Sequence, residues 1–289
     1  MQHIPVMAQE VLEYLKLSPS SVVLDLTVGA AGHFTYVAEA IGNPEKMIGV
    51  DRDLMCITEA KKKFPSSTLI HGSWTQALTE LEKRLPEVQG VLMDCGVSSM
   101  QLDHASRGFS FRFDAPLDMR MDTTQAISAQ NWLSSVDEQT LANTLFHLAD
   151  ERRSRRIAKS IVEKRRKNQL HTTFDLVQAV EDAVGPKRGK THPATKTFQA
   201  VRMAVNEELI EIEKTLQALI QKLSHGARIV VITFHSIEDR LVKNIFRDAK
   251  QNKQLRLLHK KAVRPQREEY LLNQRARSAT IRAVEIVKI

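Results

Sequence analysis

The stretch 91–122 holds the residues best suited to chemistry. The apolar run Val91-Leu92-Met93 ends at an acid, Asp94, and a Gly/Ser turn follows. A carboxylate at the end of a buried strand is how open α/β sheets present a polar group to a ligand. The segment after the turn alternates aromatic and basic residues, namely Phe109, Phe111 and Phe113 with Arg107, Arg112 and Arg120. Such a segment suits stacked bases and phosphates, so the stretch predicts an enzyme that acts on a nucleobase.

Asp94 has two interpretations. It is either a strand-end acid that caps the next turn, or a carboxylate that accepts a hydrogen bond from a substrate amine. The exocyclic amine of cytosine or adenine is a poor nucleophile, because its lone pair is delocalised into the ring. A positioned acceptor helps by aligning the nitrogen with the methyl group that it attacks. The Asp/Asn-Pro-Pro-aromatic motif of many amino-methylating enzymes is absent, since Asp94 is followed by Cys95 and Gly96.

A small-residue turn, TVGAAGH at 27–33, lies between the first predicted strand and its helix. The dinucleotide fingerprint GxGxxG is absent, which disfavours NAD and FAD. Asp51 lies 19 residues beyond Gly32, at the end of the second strand, where an acid binds ribose hydroxyls. The arrangement suits the nucleoside part of S-adenosylmethionine, and the alternative is an ordinary tight turn.

Other candidates are less distinctive. Trp74 follows the third strand and either joins the core or stacks on an adenine ring. His235 ends a later strand and is free to face a ligand, whereas Ser236 is expected to cap the next helix. The phenylalanines around Phe109 also fit a half-buried strand, and Arg120 also fits a structural ion pair with its acidic neighbours.

The element pattern predicts an α/β fold. Strands and helices alternate over the first hundred residues with short connections, which is typical of a parallel, doubly wound sheet. Residues 107–206 instead read as loop and helices, and a long amphipathic helix is expected from about 195 to 223. We therefore predict a sheet domain, 1–106 and 207–289, split by an all-helical substrate-binding insertion, 107–206.

Composition excludes several classes of protein. The 289 residues include 42% hydrophobic residues and two cysteines in unrelated contexts, so neither a disulfide framework nor a metal site is predicted. No apolar run has membrane-spanning length and no signal peptide is seen, which indicates a cytoplasmic protein without a membrane partner. The net charge of +8 and the pI near 9.5 favour an anionic partner. Basic residues concentrate in 151–167 and 253–282, although each run alone also fits a solvated helix face.

The chain resembles the small-subunit ribosomal RNA cytosine-N4 methyltransferase family, of the MraW type. The matching segments are HIPVM at 3–7, TVGAAGH at 27–33, DRD at 51–53, DCGVSSMQLD at 94–103, RGFSF at 107–111, PLDMRMD at 116–122, HPATKTFQAVRMAVNEEL at 192–209, FHSIEDRLVK at 234–243 and NQRARSATIR at 273–282. Motifs of this length and order cover nearly the whole chain, so chance agreement is not credible.

The resemblance implies a class I methyltransferase sheet, Rossmann-like, with an inserted helical domain. It implies transfer of a methyl group from S-adenosylmethionine to the N4 amine of one cytosine in 16S ribosomal RNA, within the small ribosomal subunit. Carried over by position, the cofactor contacts fall on Ala31, Gly32, His33, Asp51, Trp74, Asp94 and Gln101. We expect Asp94 and His235 to be catalytic. We expect Arg107, Phe109, Arg112 and Arg120 to bind RNA.

The chain departs from the family pattern at four places. Ala31 replaces a glycine, Trp74 replaces a phenylalanine, Cys95 replaces a leucine, and Ala149-Asp150-Glu151 replaces Gly-Glu-Glu. None of them alters Asp94. Alternatives from the residues alone are a methyltransferase with another acceptor in RNA, DNA or protein, a nicotinamide-dependent oxidoreductase, and a non-catalytic ribosome-assembly factor. The oligomeric state, monomer or homodimer, stays open.

Overall fold

The computed structural model describes residues 5–187, 189 and 191–288. His3 and Ile4 of the first matching segment lie outside these residues, as do Arg188 and Lys190. Among the helices described, none has both the length and the apolar character needed to cross a membrane.

One seven-stranded sheet organises the fold. Its strands are β1 (Val22–Asp25), β2 (Met47–Asp51), β3 (Thr68–His71), β4 (Val88–Asp94), β5 (Arg228–Thr233), β6 (Leu255–Leu257) and β7 (Thr280–Ile286). The order is β3-β2-β1-β4-β5-β7-β6. Strands β1 to β5 pair in parallel, and β7 is antiparallel to both neighbours. This is the class I methyltransferase sheet that the resemblance implied.

The helices are α1 (Ala8–Leu15), α2 (Gly32–Ile41), α3 (Leu54–Lys63), α4 (Trp74–Glu80), α5 (Ser99–Asp103), α6 (Ala129–Ser135), α7 (Glu138–Ala149), α8 (Ser154–Arg166), α9 (Thr173–Val184), α10 (Ala194–Val205), α11 (Glu208–Lys222), α12 (Ser236–Gln251) and α13 (Arg267–Leu272). Their starts carry local signals. Asp53 caps α3 by accepting from the Met55 amide, and Ser73 with Gln76 forms a capping box at α4.

The strands are apolar on both sides because helices cover both faces of the sheet. Val91 and Met93 of β4 point into a cluster shared with α4, α11 and α12. Leu92, between them, points into a second cluster shared with α1, α2 and α3. This two-residue period explains why the sequence shows continuous apolar runs at the central strands.

The chain divides into two compact units. The sheet unit comprises the chain up to Gly96 and from Leu209 onward, and the helical unit comprises Val97–Glu208. The first boundary lies before the expected residue 107, because Val97 and Leu102 pack against the helical core. That core joins α6 to α10 through apolar side chains including Leu133, Leu145, Ile157, Ile161, Leu176 and Val201.

The prediction of one long helix from about 195 is wrong. The segment forms two helices, α10 and α11, separated at Asn206 and Glu207, where Glu207 adopts a positive φ of 50°. The side chain of Asn206 stabilises the break between the two helices through three hydrogen bonds. Its Oδ1 accepts from the Met121 amide at 2.7 Å, and its Nδ2 donates to the carbonyls of Met119 and Arg202, each at 2.8 Å.

Replacing Asn206 by alanine should therefore destabilise the protein. The substitution leaves the buried Met121 amide without its acceptor, which we expect to cost about 2 kcal/mol of unfolding free energy. Urea unfolding measures the loss. The matched control is Asn143→Ala on the exposed side of α7, which should change stability by less than about 0.5 kcal/mol. Equal effects of the two substitutions would contradict this account of the break.

Candidate active site

The candidate site lies where β1 and β4 meet. After β1 the chain runs outward to β2 and β3, then crosses back to β4, so the carboxyl ends of β1 and β4 flank the point at which the strand order reverses. Ligands of open α/β sheets bind at this point. The ends of β1, β2 and β4 each carry an aspartate, namely Asp25, Asp51 and Asp94.

Thr27 joins the ends of β1 and β4. Its Oγ1 accepts from the Asp94 amide at 2.8 Å and donates to Asp25 Oδ1 at 3.1 Å. The Thr27 amide donates to the same Asp25 oxygen at 2.9 Å. Asp25 is fully buried, and this burial raises its pKa to about 6 against the hydrogen bonds from Thr27. The buried acid thus fixes the backbone from which Asp94 projects.

The turn after β1 needs left-handed backbone. Gly29 has φ 50° and Ala31 has φ 59°, a region that glycine adopts freely and alanine does not. This conformation directs the Gly29 amide to Asp51 Oδ2 at 2.7 Å, while Asp51 Oδ1 accepts from the Asp53 amide at 2.8 Å. Burial raises the pKa of Asp51 to about 6, although both amide bonds favour its ionised form.

His33 lies in the first turn of α2 and only 6% of it is exposed. Its Nε2 lies 2.8 Å from the Val6 carbonyl and its Nδ1 lies 3.3 Å from Asp94 Oδ2. Burial alone would lower the pKa of His33, but its contacts with Asp94 and the Val6 carbonyl outweigh that effect and raise it. Both ring nitrogens are therefore used inside the sheet unit.

Asp94 keeps one oxygen unused. Its Oδ1 is buried and has no hydrogen-bond partner among the residues described. A buried carboxylate oxygen normally accepts a hydrogen bond, and leaving it without a donor costs free energy. A ligand that brings an N–H group would supply one. The turn and Asp51 fit the ribose of S-adenosylmethionine, and the negative charge of Asp94 complements its sulfonium.

Trp74 begins α4, beside the end of β1. Its indole N–H donates to the Leu26 carbonyl, and the Arg52 guanidinium carbon lies 6.0 Å from the centre of the ring. Arg52 also pairs with Glu211 at 3.0 Å. The ring is half-buried and fixed in orientation, which suits a flat aromatic ligand on its open face.

Gln101 belongs to the helical unit. It is buried and closes the capping box of α5, where its side chain accepts from the Ser98 amide at 3.1 Å. Its expected contact with the cofactor stays a prediction.

His235 has a structural task. The prediction that Ser236 caps α12 is wrong, because His235 Nδ1 accepts from the Glu238 amide at 3.3 Å and Ser236 already lies in the helix. The Glu238 carboxylate in turn accepts hydrogen bonds from the Phe234 and His235 amides at 2.9 and 3.3 Å. His235 Nε2 lies 2.9 Å from Glu238 Oε1. The ring therefore orders the end of β5, and its catalytic role stays a prediction.

Three of the four residues expected to bind RNA support the helical unit itself. Phe109 is buried in its core. Arg107 donates to the carbonyls of Arg120 and Met121, each at 2.9 Å. Arg120 donates to both carboxylate oxygens of Asp118 at 2.9 and 2.7 Å and to two loop carbonyls. Burial opposes ionisation of Asp118, but Arg120 outweighs it and holds the pKa below its usual value.

Arg112 and Phe113, in the loop that follows Arg107, are exposed. Phe113 is 59% exposed, and Phe174 of α9, next to it, is 48% exposed. Thr173 Oγ1 donates to the Phe113 carbonyl at 2.8 Å, and the Phe174 amide donates to Asp114 Oδ1 at 3.2 Å. Sequence reasoning missed Phe174, because its partner lies 60 positions earlier in the chain. Asp25 was also missed, although its place at the end of an apolar strand was a usable signal.

The strain at Ala31 leads to a stability prediction. Ala31→Gly should raise the free energy of unfolding by about 0.5–1 kcal/mol, because relief of left-handed alanine outweighs the added freedom of the unfolded chain. Thermal unfolding measures the change. Ala38→Gly, in regular helix later in α2, should lower stability by about 1 kcal/mol. A loss in both variants would show that Ala31 is unstrained.

Two relatives align with almost the whole chain. The ribosomal RNA small subunit methyltransferase H of Thermotoga neapolitana is 44% identical over 298 residues, covering 99% of this chain and 96% of the relative. The protein of the same name from Methylococcus capsulatus is 40% identical, covering 96% of this chain and 99% of the relative. A solved methyltransferase from Streptococcus mutans, in complex with SAH, matches at TM-score 0.44 and 8% identity, covering 99% of this chain and 100% of that one.

The family model described as MraW methylase family matches residues 1–287. That span includes both units and every residue of the site described above. The chain therefore belongs to the MraW methylase family, and it is a methyltransferase that uses S-adenosylmethionine.

Proposed function

We propose that this protein methylates the exocyclic N4 amine of a cytosine in 16S ribosomal RNA. The RNA is part of the small ribosomal subunit, and the reaction takes place in the cytoplasm. The names of both relatives support the ribosomal RNA substrate. The observation that supports an amine as the methyl acceptor comes from Asp94, whose Oδ1 is a hydrogen-bond acceptor without a partner among the described residues. An amine brings N–H groups to that oxygen, whereas a ring carbon does not.

The sheet unit holds the cofactor in this proposal. Asp51 uses one lone pair of each oxygen on the Gly29 and Asp53 amides and offers the others to the ribose hydroxyls. Trp74 contributes the wall for the adenine ring. When bound, S-adenosylmethionine supplies an electrophilic methyl group on a cationic sulfur.

Asp94 prepares the acceptor. By accepting an N–H bond from the cytosine amine, the carboxylate orients the nitrogen lone pair and stabilises the positive charge that develops on nitrogen. Its own position is fixed from two directions, by Thr27 at its amide and by His33 at Oδ2. Fixed geometry of this kind is where much of the rate enhancement of an enzyme originates.

The helical unit offers the RNA-binding surface. The exposed side of α8 and the residues before it carry Arg152, Arg155, Arg156, Lys159 and Arg166, while Ile157 and Ile161 fill the core beneath. We call these five cations the basic face. Together with exposed Phe113 and Phe174 it combines phosphate contacts with stacking surfaces.

Mapping of modified nucleotides tests the proposal. The purified protein is incubated with labelled S-adenosylmethionine and undermethylated small subunits, and nuclease fragments are sequenced by mass spectrometry. We expect one methylated cytidine with the methyl group on N4. Methyl transfer to ring carbon 5, to another base or to protein would contradict the proposal, as would binding without transfer.

Asp94→Asn should abolish most of this transfer, because an amide cannot replace a carboxylate as a double acceptor. Asp248→Asn, on the exposed side of α12, is the matched control and should leave transfer unchanged. Turnover is compared at saturating cofactor and RNA. Equal turnover of the two variants would remove Asp94 from the mechanism.

Cofactor binding should depend on pH through Asp51. Its ionised form binds hydroxyl donors better, and its pKa is raised to about 6 by burial. Affinity for S-adenosylhomocysteine should therefore fall as pH drops through about 6, by up to about tenfold at pH 5. Calorimetric titration at pH 5 to 8 measures it. Asp51→Asn should bind weakly with a flat profile, and a flat profile in the unmodified protein would contradict the role.

RNA binding should depend on salt through the basic face. Arg155→Ala with Arg156→Ala should reduce the slope of log affinity against log salt by about two. Filter binding of a 16S RNA fragment across salt concentrations measures it. The control pair, Lys61→Ala with Lys62→Ala on exposed α3, should leave the slope unchanged. Identical slopes for both double variants would exclude the basic face from RNA binding.

A further inference from the structure

The buried imidazole of His33 has a contact on each ring nitrogen. Nε2 lies 2.8 Å from the Val6 carbonyl and Nδ1 lies 3.3 Å from Asp94 Oδ2. The ring is 6% exposed, so it presents little surface to a bound ligand. The resemblance places a cofactor contact on His33, whereas the ring itself faces the protein.

The two contacts constrain the protonation of the ring. A carbonyl oxygen only accepts, so Nε2 must carry a proton. An ionised Asp94 also only accepts, so Nδ1 must carry a proton to make a favourable contact with Oδ2. The imidazolium is the form that satisfies both neighbours while Asp94 is ionised.

The surrounding charges are acidic. Asp94 at the end of β4 and Asp25 at the end of β1 both act on His33, and the Val6 carbonyl adds its partial negative charge from the segment before α1. Burial acts in the opposite direction, and the sum raises the pKa of His33 above 6.5. The shift agrees in direction with the geometry.

We propose that His33 is a positioning residue that, as an imidazolium anchored by Val6, holds the Asp94 carboxylate so that Oδ1 stays directed to the acceptor amine. Loss of the Nδ1 proton at alkaline pH sets a lone pair against Oδ2 and releases the carboxylate. His33 thereby makes methyl transfer dependent on its own protonation.

The first test uses the protein without cofactor or RNA. Nitrogen-15 spectra of the histidine rings report the protonation of His33 during a pH titration, with assignment by His33→Gln. We expect both ring nitrogens to be protonated at pH 7, and Asp94→Asn to lower the pKa of His33 below its ordinary value of 6.5, since burial then acts with less opposition. A neutral ring at pH 7, or a titration unchanged by Asp94→Asn, would overturn the proposal.

The second test rests on the proposed function and uses two isosteric amides. In His33→Asn the amide nitrogen takes the place of Nδ1 and faces Asp94 without titrating. In His33→Gln the amide nitrogen takes the place of Nε2 and faces Val6 alone. We expect both to lose turnover, His33→Gln by at least about tenfold more, which corresponds to one lost charge-assisted contact.

The pH profile separates positioning from folding. Turnover of the unmodified protein should fall at alkaline pH as His33 loses its proton, and His33→Asn should lose that limb of the profile while the KM for RNA stays constant. His147→Asn and His147→Gln, at an exposed position of α7, serve as controls. Equal loss in both His33 variants, or an alkaline limb retained in His33→Asn, would overturn the proposal. If the unmodified protein methylates no RNA, the proposed function fails, and the ring titration still decides the role of His33.

Discussion

Three carboxylates share one edge of the sheet, and the placement of their negative charge constrains the rest of the site. Burial raises the pKa of Asp25 and Asp51 to about 6, which means that the folded chain holds their charge at a cost. Hydrogen bonds and charges from neighbouring residues offset this cost. Thr27 and Gly29 give their amides to these carboxylates, and His33 lies against Asp94.

The backbone of the turn after β1 follows from the same constraint. Gly29 adopts a left-handed conformation in this turn, and its amide donates to Asp51. Ala31 adopts a similar conformation one residue before α2, at a position where the resemblance leads us to expect glycine. The strain therefore lies next to the candidate site, as is common where a fixed backbone is needed for binding.

Local patterns explain what could be predicted from the sequence. The apolar runs and their alternation with helices determined the sheet, and acids at the ends of β2 and β4 marked two of its three carboxylates. Long-range partners explain what could not. The break at Asn206 depends on the Met121 amide, 85 positions away. The burial of Phe109 depends on contacts with helices that follow it in the chain. His235 displaced Ser236 as a cap because its ring reaches the Glu238 amide, a possibility that the sequence pattern alone ranks low.

An acidic edge of this kind also separates the two ligands by charge. S-adenosylmethionine brings a sulfonium and an ammonium group, which complement carboxylates such as Asp94. RNA phosphates would be repelled by the same carboxylates, so the proposed function requires phosphate contacts on another surface. The basic face of α8 is the surface that we propose for these contacts, because its arginines are exposed while Ile157 and Ile161 are buried in the helical core. In the proposed function, the neutral amine of a base is the part of RNA that the Asp94 carboxylate can accept as a hydrogen-bond donor.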